Sequence, residues 1–179
     1  LSREIEPLYL EQIGGLSVQE IGLVWSIFSI AMLFTPMISG RLSDRYGERV
    51  PISIGFFFIF VAFTVFLNVT GFVPFAIVWT IFGLGVGLLS PAYSSLISKV
   101  VPHNKLGAFN GIFYGSIGLL SLPAPYLGTL MWEKIDPKAP FVVAAVVSIL
   151  TIIPIWFKFR VPRKDDTAGA PGISQASPP

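Results

Sequence analysis

Ten consecutive residues bring carboxylates and guanidinium groups together between two apolar stretches: Gly40-Arg41-Leu42-Ser43-Asp44-Arg45-Tyr46-Gly47-Glu48-Arg49. Asp44 supplies a carboxylate that can accept backbone N–H groups or meet a helix N-terminus. Arg45 and Arg49 supply planar cationic forks for carboxylates or lipid phosphates. The chemistry on offer is ionic pairing. Gly40 would allow close packing or a left-handed cap as a helix ends, and Gly47 would permit a tight turn. Catalysis lacks equivalent material. The chain has no cysteine, so there is no thiol nucleophile, thiolate metal site or disulfide, and its one histidine lies in Val101-Pro102-His103-Asn104, a solvated loop. Neither H-E-x-x-H, G-x-S-x-G nor a glycine-rich phosphate loop with Lys occurs. The expectation is a protein that is not an enzyme and uses no cofactor or metal.

The elements that must hold this cluster are apolar. Of 179 residues, 53% are hydrophobic and only 12% charged, with mean hydropathy +0.74, where soluble domains carry about 25% charge. From Val50 to Ser98, 49 residues pass without Asp, Glu, Lys or Arg, and from Leu106 to Trp132 another 27. A hydrocarbon layer about 30 Å thick needs roughly 20 apolar residues per helical crossing. Five segments fit, at 21–40, 50–68, 73–98, 107–132 and 139–157. Only helices satisfy their own backbone in lipid, and runs of 19 to 26 residues exceed a barrel strand. The predicted fold class is an all-α polytopic transmembrane helix bundle, residues 1–159 forming the transmembrane domain. Asn68 to Pro74 makes a short hairpin between the second and third segments, and Pro91, Pro123 and Pro125 should bend theirs.

Basic residues set the expected orientation. One side holds Arg41, Arg45, Arg49, Lys99, Lys105, Lys158, Arg160, Arg163 and Lys164; the other holds Arg3, Lys134 and Lys138. The richer side should be cytoplasmic, which puts residues 1–17 outside. Residues 160–179, rich in Pro, Gly, Ser and Ala, should form a disordered cytoplasmic tail. The protein should be a multi-pass integral membrane protein of the plasma membrane. The twelve Lys and Arg are scattered beside apolar runs, which disfavours nucleic acid as a partner. Five crossings that start outside imply a sixth helix before Leu1.

The segment Gly40–Arg49 resembles the G-x-L-x-D-R-x-G-R/K loop signature of the major facilitator superfamily of transporters. It departs at Glu48, where the family usually has a base and Arg49 arrives one place late. The likeness extends over residues 7–159. Pro7-Leu8-Tyr9-Leu10 and Gly15-Leu16-Ser17 look like an external loop before a helix that Ser17 caps, with Glu20 completing a capping box. A family half has six helices in two inverted triplets, of which five would be present. Trp79 stands where the amino-terminal half often has Arg ahead of Gly83-Leu84-Gly85, which points to the carboxy-terminal half. The resemblance implies a secondary transporter that moves a small solute by alternating access, with Gly40, Asp44, Arg45, Gly47 and Arg49 as a cytoplasmic conformational latch. The expected partners are the lipid bilayer, the solute and a missing amino-terminal half of the same polypeptide. The alternative is a non-transporting receptor or scaffold of the same fold.

Small residues at helical spacing mark expected seams between helices: Gly107, Gly111 and Gly115, continued by Gly118, on the fourth segment, and Gly83 and Gly87, flanked by Thr80, Ser90 and Ser94, on the third. Phe56, Phe57, Phe58, Phe60, Phe63 and Phe66 cover all faces of the second segment, and the fifth is mostly Val, Ile and Ala, so both should lie against lipid. The other three would line the cavity, with Trp79, Tyr93, Asn110 and Tyr114 as candidate contacts along the substrate pathway. No ionisable residue lies deep in any span, so either a coupling carboxylate belongs to the missing residues or the solute is largely neutral or apolar, which would suit efflux of such a compound.

Overall fold

The computed structural model describes residues 5–158. The tail expected at 160–179, with Arg160, Arg163 and Lys164, lies outside the described residues. The described chain is all helical: α1 (Glu6–Gln12), α2 (Val18–Tyr46), α3 (Arg49–Phe66), α4 (Phe72–Val100), a 3-10 turn at His103–Lys105, α5 (Leu106–Ser121), α6 (Ala124–Lys134) and α7 (Ala139–Lys158). Five stretches are long and apolar enough to cross a membrane: Val18–Tyr46, Arg49–Phe66, Phe72–Val100, His103–Lys134 and Ala139–Phe157.

Local signals explain most boundaries. At the start of α2 the Ser17 hydroxyl accepts from the Glu20 N–H at 3.3 Å, and the Glu20 carboxylate accepts from the Ser17 N–H at 2.8 Å. This reciprocal box satisfies donors that a helix start leaves open. Gly47 at φ +82° and Gly71 at φ +86° stop or start helices in backbone that a side chain would strain. α4 runs unbroken through Pro91, whereas the fourth apolar segment divides into α5 and α6 at Leu122 and Pro123. Pro123 followed by Pro125 removes two N–H donors within three residues, so the ladder restarts with the Leu127 N–H on the Pro123 carbonyl at 2.9 Å.

α2 lies against α4, α4 against α3, and α3 against α7. Within the described residues α5 approaches only its sequence neighbours closely and buries none of its side chains. The core is aromatic. Phe66, at 0% exposure, sits 4.7 Å from Phe141, 4.6 Å from Tyr9, 5.3 Å from Trp79 and 5.4 Å from Phe75, ring centre to ring centre. The lipid placement expected of the second segment is corrected here: Phe63 and Phe66 of α3 point into the core, while Phe57 faces outward. A helix apolar all round has no face chosen by its own sequence, so its neighbours choose one. α7 buries Phe141, Ala145, Ser148 and Ile155 against the bundle and exposes Val142, Val146, Leu150 and Ile153.

Candidate functional site

The ten-residue ionic segment is mostly not a loop. α2 continues as helix through Gly40, Asp44 and Arg45 to Tyr46, and only Gly47 and Glu48 separate it from α3, which opens at Arg49. Gly40 has no neighbour near its missing β-carbon and ordinary helical backbone, so the strained turn belongs to Gly47 alone. The Gly47 N–H donates to the Ser43 carbonyl at 2.9 Å and its carbonyl accepts from the Val50 N–H at 3.3 Å.

Electrostatics divide the segment in two. Asp44 is exposed in the last turn of α2, and Arg49 is half-buried at the first position of α3. Each stands at the helix end whose dipole disfavours its sign, by about 0.3–1 kcal/mol at an exposed site. The Arg45 guanidinium lies over the Tyr46 ring, 5.3 Å from its centre.

Glu48 and Lys99 obey the dipoles instead. Glu48 immediately precedes α3, is 5% exposed, and pairs with Lys99 in the last turn of α4; its carboxylate also accepts from the Ser95 hydroxyl at 2.9 Å. Burial pushes the Glu48 carboxyl upward, but hydrogen bonds from Lys99, its own backbone and Ser95, with the Lys99 charge, outweigh it and hold the group below the ordinary glutamate value. The sequence alone does not point to this pairing, since the partners are 51 positions apart.

Behind this end of the bundle runs the α2–α4 contact. A β-carbon on Gly83 would fall 2.7 Å from the Phe28 carbonyl oxygen and 3.0 Å from the Ala31 β-carbon, and one on Gly87 would overlap Thr35. The Ser39 hydroxyl, fully buried, donates across the seam to the Leu88 carbonyl at 2.8 Å. Ser90 and Ser94 are exposed and take no part in it. A second close contact, between Gly55 on α3 and Gly85 on α4, was not among the expected seams.

Gly107, Gly111 and Gly115 behave otherwise. Nothing lies within 4 Å of a β-carbon on any of them, so the seam expected along the fourth segment is not formed among the described residues.

The four pathway candidates are scattered. Trp79 is 2% exposed in the aromatic core, where its Nε1–H has no hydrogen-bond partner among the described residues; it lies inside the bundle and not on an open face. Tyr93 is half-buried against the small cluster of Ile52, Ala92 and Ile155. Asn110 and Tyr114, four residues apart on α5, are half-buried and 60% exposed respectively. Glu6 is a carboxylate that inspection of the spans passes over: it precedes them, yet it is 2% exposed and lines a small cavity with Phe63, Phe66, Val78, Trp79 and Phe82.

Comparison with known proteins agrees with this architecture. The family model described as Major Facilitator Superfamily matches residues 5–178. The chain is 29% identical over 156 residues to MJ1560 of Methanocaldococcus jannaschii, an uncharacterized MFS-type transporter, covering 87% of this chain and 40% of that protein. It is 26% identical over 163 residues to the quinolone resistance protein NorA of Staphylococcus aureus, covering 91% of this chain and 42% of that one. A crystal structure of a mutant of the peptide transporter POT in complex with sulfate superposes with a TM-score of 0.61 and 26% identity, over 80% of this chain and 30% of that one. The chain thus spans about two fifths of the length of these two curated relatives.

Proposed function

Because the chain belongs to the major facilitator superfamily, we propose that it supplies one half, the carboxy-terminal one, of a secondary transporter that moves a small solute across a membrane by alternating access. Its five long apolar stretches make it a multi-pass integral membrane protein. In the reading offered here the end carrying Gly47 faces the cytoplasm at the plasma membrane, and residues 160–179 extend on that side.

The observation that carries the proposal is the pairing of a close, small-residue contact between α2 and α4 with exposed ionic groups at the tip of α2. Asp44 and Arg49 stand where their own helices disfavour them, as expected of groups whose partners lie elsewhere for part of a cycle. Gly40 and Gly47 frame this latch, and Arg45 belongs to it. Contacts that differ between two states of a carrier bias the equilibrium between them.

The open face of α5 supports the missing-partner reading. Ile112, Leu119 and Leu120 are 72%, 69% and 79% exposed beside Gly107, Gly111 and Gly115. Small residues next to large apolar ones suit close helix packing, here against the other half of the carrier. Asn110 and Tyr114 share this helix and would line the solute path at that junction; Tyr93 and Trp79 belong to other parts of the bundle, and their place on the path is proposed from the sequence alone.

The solute proposed is a neutral or apolar compound carried outward; one relative is named for quinolone resistance, and a quinolone, which bears an ionisable carboxyl, serves as the contrasting probe. The test is flux of a quinolone and of neutral dyes across sealed proteoliposomes holding the chain joined to the remaining length its relatives carry. Flux abolished by Asp44→Asn with insertion intact supports the proposal. Saturable solute binding without flux would replace it with a receptor.

A further inference from the structure

Glu48 is where the Gly40–Arg49 segment departs from the family signature, and it is the acid of that segment that the structure buries. Its carboxylate is held by two donors, the Lys99 ammonium and the Ser95 hydroxyl, both on the last turns of α4. The turn that carries it is only two residues long, and Gly47 is bonded back to Ser43 at 2.9 Å. Whatever fixes Glu48 therefore fixes the last turn of α2, where Asp44 and Arg45 stand. Because the turn adjoins the last turn of α2, the contacts to α4 restrict how those two side chains can project.

We infer that Glu48 and Lys99 form a positioning clasp that aims Asp44 and Arg45, with the acid of the pair on the turn and the base on α4. The place where the family signature has a base holds an acid, and a base on the neighbouring helix answers it. The clasp deepens the latch reading and rests on it for its consequence in transport, but its geometry can be tested without transport.

The chain has no cysteine, so a label pair can be placed without removing any. Spin labels at Tyr46→Cys and Ser98→Cys, both exposed positions, read the separation of the α2 and α4 tips in the full chain in lipid nanodiscs. The native pair should give one narrow distance distribution. Glu48→Gln and Lys99→Met should each broaden it about twofold or more, and the exchanged pair Glu48→Lys with Lys99→Glu should narrow it again. In flux assays each single variant should lower the maximal rate about fivefold or more with KM changed less than about twofold, and the exchange should recover most of the rate. A distribution unmoved by Glu48→Gln, or an exchange no narrower than either single variant, overturns the clasp. Should the exchanged protein not fold, Lys99→Arg takes its place: a narrow distribution supports the clasp, and broadening equal to Lys99→Met overturns it. If Asp44→Asn leaves flux unchanged, the latch fails while the label distances still decide the clasp.

Discussion

Gly55 and Gly85 face each other across α3 and α4 so closely that a β-carbon on either would fall 2.8 Å from the other's carbonyl oxygen. Both clashes are with backbone, which cannot rotate aside as a side chain can. Gly85→Val should therefore destabilise the bundle by about 1–3 kcal/mol or more through forced backbone displacement. Thermal unfolding in detergent checks this, with Gly107→Val as the comparison. A larger loss at Gly107, where a β-carbon would meet nothing within 4 Å among the described residues, would contradict the packing described.

The α2–α4 contact predicts a graded response. Gly87→Ala would press a methyl onto Thr35, whose hydroxyl already donates to the Ala31 and Met32 carbonyls at 2.9 and 3.1 Å. Pairing Gly87→Ala with Thr35→Ala, which removes the hydroxyl oxygen nearest the added methyl, should recover a measurable part of the lost stability. Additive effects of the two changes would show that they do not meet.

Acid should loosen the Glu48 clasp. The carboxyl is held below its ordinary value of 4.5, so its contribution is fully present above about pH 4.5 and is lost as pH falls through the lower, folded-state value. Stability measured against pH should drop more steeply below about pH 4.5 in the native chain than in Glu48→Gln. Equal slopes would mean the buried pair adds nothing; the half-exposed Lys99 keeps the expected difference small.

A bulky residue on the open face of α5 should separate folding from assembly. Gly111 is exposed and a β-carbon there meets nothing within 4 Å among the described residues, so with Gly111→Leu the half alone should keep its native melting temperature. In the joined carrier the same change should weaken association of the halves and lower flux about tenfold. Loss of stability in the half alone would place a neighbour there after all.

Removal of the α2 cap gives a purely local prediction. Ser17→Ala deletes the acceptor for the Glu20 N–H and should cost about 0.5–2 kcal/mol. Ser17→Thr, which keeps both the acceptor for the Glu20 N–H and the hydroxyl donor to the Glu20 carboxylate, should restore most of it in the same melting assay.

How far the sequence reached differs by residue. The crossings were legible because long uncharged runs leave few alternatives, and the cap at Ser17 because its signal, Glu20, is three residues away. The inward aim of Phe63 and Phe66 was not, since a helix with phenylalanine on every side carries no periodicity. Glu48 was visible as a departure but not as half of an ion pair, because its partner is brought in by tertiary packing. Gly83 and Gly87 stand where their spacing would put a contact; Gly107, Gly111 and Gly115 have the same spacing and open space around them. Periodicity locates a stripe on a helix and says nothing about what lies across from it.

At about 1.5 Å per residue, α2 and α3 are rods of roughly 43 Å and 27 Å, joined by two residues. With a connection that short, any change in the angle between the rods has to be taken up by the torsions of Gly47 and Glu48 alone, so the elbow can fold or open but cannot let the two ends drift apart.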